Sequence, residues 1–540
     1  MVKMKYPGFT RFGLALLFFI LPFTLIHIQA QRQDPNTGVR KFNTLMQIIR
    51  YAYVDTINEG KLVEKAITET LQELDPHSVY IPKKEVQRAN EPLEGNFDGI
   101  GIQFEILKDT ITVVHPIPGG PSDKLGIMSG DKIIKIDGET VASKKIDNQF
   151  VLDHLRGKRG TKVVVSMYRK GKKDLIDYTI TRDKIPINSI DAAYIITPGV
   201  GYINLNRFSQ SSMQEFNAAI TKLKAEGMTN LILDLRNNSG GYMGTAIELS
   251  DEFLGPDKLI VFTQGIRSQR EDYFSSAKGQ FQSGKLVIMI NENSASASEI
   301  VAGAIQDWDR GIIVGRRSFG KGLVQRPFQL PDSSQVRLTT ARYYNPSGKC
   351  IQKPYGDGVD KYYEDFSLRV RHGELVHADS IKFPDSLKYF TSKKRVVYGG
   401  GGIMPDIFIP WDSTPVSDYY LDLRRKNVIN SYVADYVDQN RKTLQKNYPA
   451  FQTFDKNFNP DNEFMISFFD YAEKQGVKKN EKDWEDSEKL IKAQIKGLIA
   501  QKLWDMNEFY TIINQVDEEV LRAVEIIRDD TMFDKLKIDQ

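Results

Sequence analysis

The stretch from Asn291 to Gln325, NENSASASEIVAGAIQDWDRGIIVGRRSFGKGLVQ, restricts the fold more than any other part of the chain. Ala297, Ile300, Val301, Ala304, Ile305 and Trp308 recur at steps of three and four, the spacing of a helix that buries one face. Residues 312–314 follow as a short apolar strand. The flanking chain repeats this alternation. Residues 200–205, 231–235 and 285–290 read as strands, and 212–225 and 245–253 as helices. Strands alternating with helices imply a sheet with helices on its face. A further strand, 336–344, ends at Asn345-Pro346-Ser347-Gly348.

Other textures lie on either side. Residues 31–37 form a polar linker. Phe42, Leu45, Met46, Ile49 and Tyr53 then mark one helix, and residues 62–74 a second that stops at the breaker Asp75-Pro76. From Gly95 the chain turns to short strands. Gly99-Ile100-Gly101-Ile102 precedes one of them, and Asp137-Gly138 predicts a tight hairpin. Residues 353–410 read as loop-rich and polar, with four consecutive glycines at 399–402. After Trp411 the pattern is helical to the end, with Phe464, Phe468 and Phe469 on one face as core residues. The divisions expected are 1–30, 38–94, 95–182, 183–410 and 411–540.

Composition excludes several functions. The 540 residues suffice for several domains, and a net charge of +3 gives no electrostatic case for nucleic acid. A lone cysteine, Cys350, cannot form an internal disulfide. The six histidines include no HExxH, and His372 and His377 are spaced too widely to share a helix face, so no metal is expected. At the N-terminus Lys3, Lys5 and Arg11 precede an apolar run, 12–28, broken by Pro22 and followed by a small-residue site ending at Ala30. This is the pattern of a signal peptide, with an uncleaved anchor as the alternative. The remainder is expected to be exported, periplasmic or cell-envelope, touching a membrane only through this segment.

The chemistry lies in residues 294–325. Ser294, Ser296 and Ser298 compete as nucleophiles. Ser296 falls just before the buried stripe, where unpaired N–H groups and the helix dipole favour negative charge. An ordinary helix cap fits the same position. Lys321 stands between Gly320 and Gly322, in a turn able to aim its amine inward against Phe319, Leu323 and Val324. A solvated loop lysine fits too. A serine and a desolvated, neutral lysine together make a nucleophile and its base without histidine. The near P-loop from Gly315 to Lys321 fails, because Gly322 replaces the magnesium-holding Ser or Thr and Pro327 forbids the helix.

Residues 95–182, through GIGI and PGGPSDKLGIMSGDKIIKIDG, resemble a PDZ domain, with Gly99, Ile100, Gly101 and Ile102 as the loop that captures a terminal carboxylate. SASASEIVAGAIQD, GRRSFGKGLVQ, LRNNSGG and the LDPHS at 74–78 resemble the carboxyl-terminal processing (tail-specific) proteases over roughly residues 40–410. That resemblance implies an α/β crotonase-like (ClpP/crotonase-type) core with an inserted PDZ domain and helical segments at both ends. It implies Ser296 as nucleophile, Lys321 as base, Gln325 as its orienter and Glu299 in support. For the oxyanion, Ala297 is one natural N–H donor, with Gly240 or Gly241 as the other. The function so implied is a serine endopeptidase that needs no cofactor and cleaves exported proteins near free, apolar C-termini. The helical ends could serve a homo-oligomer. The alternatives are an inactive tail-binding scaffold and an enzyme acting on acyl thioesters.

Overall fold

The computed structural model describes residues 36–412 and 416–539. The signal-peptide pattern lies outside them. Among the described residues no helix is long and apolar enough to cross a membrane. The chain divides into two compact units at Thr70. In the first, the helix Thr37–Ala52 buries no residue: Met46 and Ile49 are half-covered, while Phe42 and Leu45 are exposed. A second helix begins at Glu59.

The second unit is built on a six-stranded sheet in the order Ile190–Thr197, Val200–Leu205, Asn230–Asp234, Leu286–Ile290, Ile312–Gly315, Ile407–Phe408. Its first pair is antiparallel and the others parallel. Burial on both sides explains the unbroken apolar runs, such as LVIMI at Leu286–Ile290, all five of whose residues are buried. The helices Ser212–Ala225, Met243–Asp251 and Ala297–Asp307 pack on one face. The last of these is buried at every position: its middle, from Ile300 to Ile305, is written in Ala, Gly, Ile and Val, and its buried polar residues Ser298, Glu299, Gln306 and Asp307 stand at the two ends.

The other face is covered by the end of the chain. Val520, Ala523, Ile526, Ile527 and Phe533 pack against Tyr202, Ile232, Val287 and Ile312. Acidic residues at the start of the helix Glu518–Arg528 seat it on two arginines, the buried Arg316 and the half-buried Arg236. Arg236 reaches Asp517 at 3.0 Å, and Arg316 reaches Glu519 at 2.6 Å. The sequence suggests one extension over 411–540, but its last helices complete the α/β core. Only the preceding helices, Asp418–Arg425 to Met506–Ile513, form a core of their own around Phe454, Phe468 and Ile495.

Residues 353–410 also depart from expectation. They contain a helix, Val359–Arg371, whose buried residues are Tyr362 and Arg369. An inward face made of a tyrosine and an arginine leaves no apolar stripe to read.

Between Gly99 and Thr181 lies a small β-domain with strands ordered Ile102–Leu107, Thr110–Pro116, Lys132–Ile136, Lys162–Tyr168, Ile176–Thr181. Its hairpin turns at Asp137-Gly138, with φ of 47° and 86°. Both values are positive, as a two-residue turn of this hand requires. The C-terminal helices touch this domain through Lys502–Glu105 and Lys108–Asp435, each at 2.9 Å.

Candidate active site

Ser296 caps the helix Ala297–Asp307 with φ 56° and ψ −111°, a strained conformation for a residue with a side chain. The structure separates the three serines. Ser294 Oγ donates to Leu235 O at 2.8 Å, and Ser298 Oγ to Asn238 O at 2.9 Å; both are fully buried. Of the three, only Ser296 lines a cavity of about 620 Å³, with Ala297, Lys321, Gln325, Gly240 and Gly241 also in its wall.

Gly240 lies against the nucleophile candidate. A Cβ there would come within 2.8 Å of Ser296 Cβ and 2.9 Å of Ala297 N, at a φ of 101°. Its own N–H is engaged by Asn238 Oδ1 at 2.9 Å. The N–H groups of Gly241 and Ala297 meet no acceptor among the described residues.

Lys321 follows a turn held by one carboxylate. Glu299, fully buried, accepts Ser318 Oγ at 2.5 Å and Gly320 N at 2.7 Å on Oε1. On Oε2 it accepts Ser296 N at 2.8 Å and Lys321 N at 2.9 Å. The backbones of Ser296 and Lys321 are thus tied to the same side chain. Arg369 steadies the outer side of the turn by donating to Ser318 O at 2.8 Å and Phe319 O at 3.2 Å. Burial lowers the pKa of the Lys321 ammonium, against the opposing pull of Glu299 and Asp75.

The amine donates to Gln325 Oε1 at 3.1 Å, and Gln325 Nε2 donates to the carbonyl of His77. That carbonyl is placed by Asp75, which accepts the N–H groups of His77 and Ser78, both at 2.8 Å, and the Ser78 hydroxyl at 2.6 Å. Thr339, the strand partner of Gln325, donates to the same carboxylate at 3.1 Å. The LDPHS segment therefore supplies the far end of the lysine's hydrogen-bond chain. Its sequence signal is an Asx turn, Asp followed two and three residues later by bonded N–H groups; the distance in sequence from Lys321 hides the connection.

The His77 ring is held neutral by the same surroundings. Burial, then Lys321, push its pKa down to about 4 from 6.5. The unfolded chain consequently binds a proton that the folded chain refuses. Stability is expected to fall as pH drops from about 6.5 to about 4, with no further loss from this group below that. Urea midpoints measured across this range should show a shallower slope in His77→Gln.

In the β-domain, Ile100, Gly101, Ile102 and Phe104 face Val151 and Leu155 of the helix Asn148–Leu155 across a groove of about 250 Å³. Gly101 turns at φ 75°, and a Cβ there would press Ile185 at 3.0 Å and Pro121 at 3.2 Å. Gly99 stands outside the groove wall, paired with Asp183. His372 and His377 are exposed.

A serine and a desolvated lysine in one cavity of an α/β core, in a chain that also carries a groove of about 250 Å³ in a β-domain, define a serine-type peptidase. Residues 199–364 match the model of peptidase family S41, 99–180 that of the PDZ domain, and 419–505 that of a family of unknown function. The carboxy-terminal-processing protease of Bartonella bacilliformis is 36% identical over 325 residues, 59% of this chain and 74% of that protein. The carboxy-terminal processing protease CtpA of Bacillus subtilis is 32% identical over 340 residues, 63% of this chain and 72% of that one. Among solved structures, a photosystem II D1 C-terminal processing protease is 25% identical, over 68% of this chain and 86% of that one, at a TM-score of 0.36. The chain belongs to peptidase family S41, the carboxy-terminal processing proteases, and carries that family's core with a PDZ domain and helical segments.

Proposed function

We propose that this chain hydrolyses peptide bonds near the free C-termini of exported proteins with Ser296 as nucleophile and Lys321 as base. One observation carries the reading: a half-buried lysine amine, its pKa lowered, stands with Ser296 in one cavity and is held by Gln325. The neutral amine takes the proton from Ser296 Oγ, which attacks the carbonyl carbon. The C–N bond breaks as Lys321 returns that proton to the departing amine. Water, deprotonated by Lys321, then attacks the ester carbonyl, and the bond from Ser296 Oγ to the acyl carbon breaks as Lys321 returns that proton to Oγ. The oxyanion is received by Ala297 N–H and by Gly241 N–H, since Gly240 N–H already has Asn238 as its acceptor.

The α/β core fits a crotonase-like arrangement with boundaries 183–410, completed by the final helices. The 95–182 domain offers Ile100, Gly101 and Ile102 as the end of a groove in which an extended tail adds as a strand beside Ile102–Leu107. Export rests on the pattern of residues 1–30, and a free C-terminus is the feature such a groove selects. The test is digestion of one substrate protein with an apolar tail, prepared with a free and with an amidated C-terminus. Cleavage of the free form is expected to be faster by ~tenfold or more, the worth of one charge-assisted carboxylate capture. Equal rates would remove the capture step.

A further inference from the structure

The wall of the catalytic cavity holds a charge that the scheme above does not use. Arg337 lies on the strand Gln335–Tyr344 and is half-buried. Alternation along a strand puts it on the same side as Thr339, the partner of Gln325. Two residue steps along the strand, about 7 Å, lie between them. The guanidinium is pinned from one side only: Nη2 donates to Ala89 O at 2.7 Å and Asn90 Oδ1 at 2.8 Å. Nε and Nη1 have no acceptor among the described residues, and no carboxylate pairs with the group.

The other charges of the cavity do not neutralise it. Glu94 is exposed. Arg207 leans on Asn206 Oδ1 at 2.7 Å and has Asp191 nearby as its counter-charge. Lys321 contributes a positive charge or none. Withdrawing a guanidinium from water without a partner is costly, and the cost is relieved when an anion fills the space in front of it. The occupant of this cavity is a peptide, and the anion a peptide brings is a carboxylate.

We infer that Arg337 forms a specificity subsite for a substrate carboxylate a few residues from the scissile bond. The inference rests on reading this cavity as the peptidase site. The carboxylate has two sources, an Asp or Glu side chain or the substrate's own terminus, and both present the same group to the open N–H donors. Arg337 is a binding residue here: it takes no part in the proton transfer itself and acts on it only through its charge, which lowers the pKa of Lys321.

The test uses one cleavable peptide in four forms: Glu or Gln at a chosen position, each with a free or an amidated C-terminus. The position is moved through the four residues on either side of the bond. kcat/KM is measured for the wild type, Arg337→Gln and Arg337→Lys. The readout is the ratio between two peptides on one enzyme, which cancels any loss of folded protein. The wild type is expected to prefer a carboxylate ~tenfold, chiefly through KM; Arg337→Gln should bring that ratio close to one, and Arg337→Lys should keep part of it. Collapse of the Glu/Gln ratio assigns a side-chain carboxylate, and collapse of the free/amidated ratio assigns the terminus. Ratios identical in wild type and Arg337→Gln would overturn the subsite. A Ser296→Ala enzyme that still cleaved would instead overturn the dyad, and the Arg337 ratios would keep their meaning.

Discussion

Lys321→Arg should be as inactive as Ser296→Ala, each lower than wild type by about 10⁴-fold or more in kcat. Arginine keeps the positive charge and most of the length, but it does not give up a proton in proteins. Replacing a base with a permanent cation therefore separates proton abstraction from electrostatic stabilisation. If the amine merely stabilised negative charge, Lys321→Arg would retain much of the rate, and the base assignment would fail. Ser294→Ala and Ser298→Ala are the matched controls. Each leaves a buried carbonyl without its hydroxyl partner and should cost ~1–3 kcal/mol of stability. Catalysis per folded molecule should stay near wild type, because neither hydroxyl reaches the cavity.

The same assignment fixes a pH dependence. The working form is the neutral amine, so kcat/KM should rise with pH through the pKa of Lys321. Burial sets that limb below the 10.5 of a free lysine. Glu299 and Asp75 pull it upward and Arg337 pulls it down, while His77 is already neutral above about 4. Arg337→Gln should accordingly move the limb toward higher pH for every peptide.

Much of this site could be read from residue order because its parts are local. The buried stripe from Ala297 to Trp308 announces a helix, and a helix start defines where Ser296 must stand. Gln325 lies four residues beyond Lys321, but its place as orienter is implied by the family resemblance and not by that spacing. The sequence is silent where a bond crosses the fold. His77 O meets Gln325 only because the strands Val79–Ile81 and Leu323–Gln329 flank the same strand, Gln335–Tyr344. The choice between Gly240 and Gly241 depends on a side-chain oxygen of Asn238, which composition cannot place. The final helices escaped for another reason. Val520, Ala523, Ile526 and Ile527 make an ordinary amphipathic stripe, which says that a helix docks without saying on what.

Glu299 is where the largest coupled loss of stability and activity is expected. Its carboxylate receives four donors, three of them backbone N–H groups. Burial raises its pKa, and the four hydrogen bonds oppose that rise. The helix start beside it favours the anion as well. Glu299→Ala strips every one of these donors in a dry interior and should cost ~3–5 kcal/mol. Glu299→Gln is the sharper experiment. An amide offers one accepting edge, so its NH₂ must face either the Ser318–Gly320 pair or the Ser296–Lys321 pair. In the first case Ser318 can rotate and accept, but Gly320 N–H cannot. In the second, two backbone donors confront a third. Either way the turn carrying Lys321 shifts against the helix carrying Ser296, and a displacement of about 1 Å between reacting groups costs ~10²-fold. Glu299→Gln should therefore remain folded, with a lowered urea midpoint and a kcat reduced about 100-fold at nearly constant KM. A Glu299→Gln enzyme with wild-type kcat would mean that the shared carboxylate does not set the spacing of nucleophile and base, and that the two are positioned separately by the helix cap and the Gln325 chain.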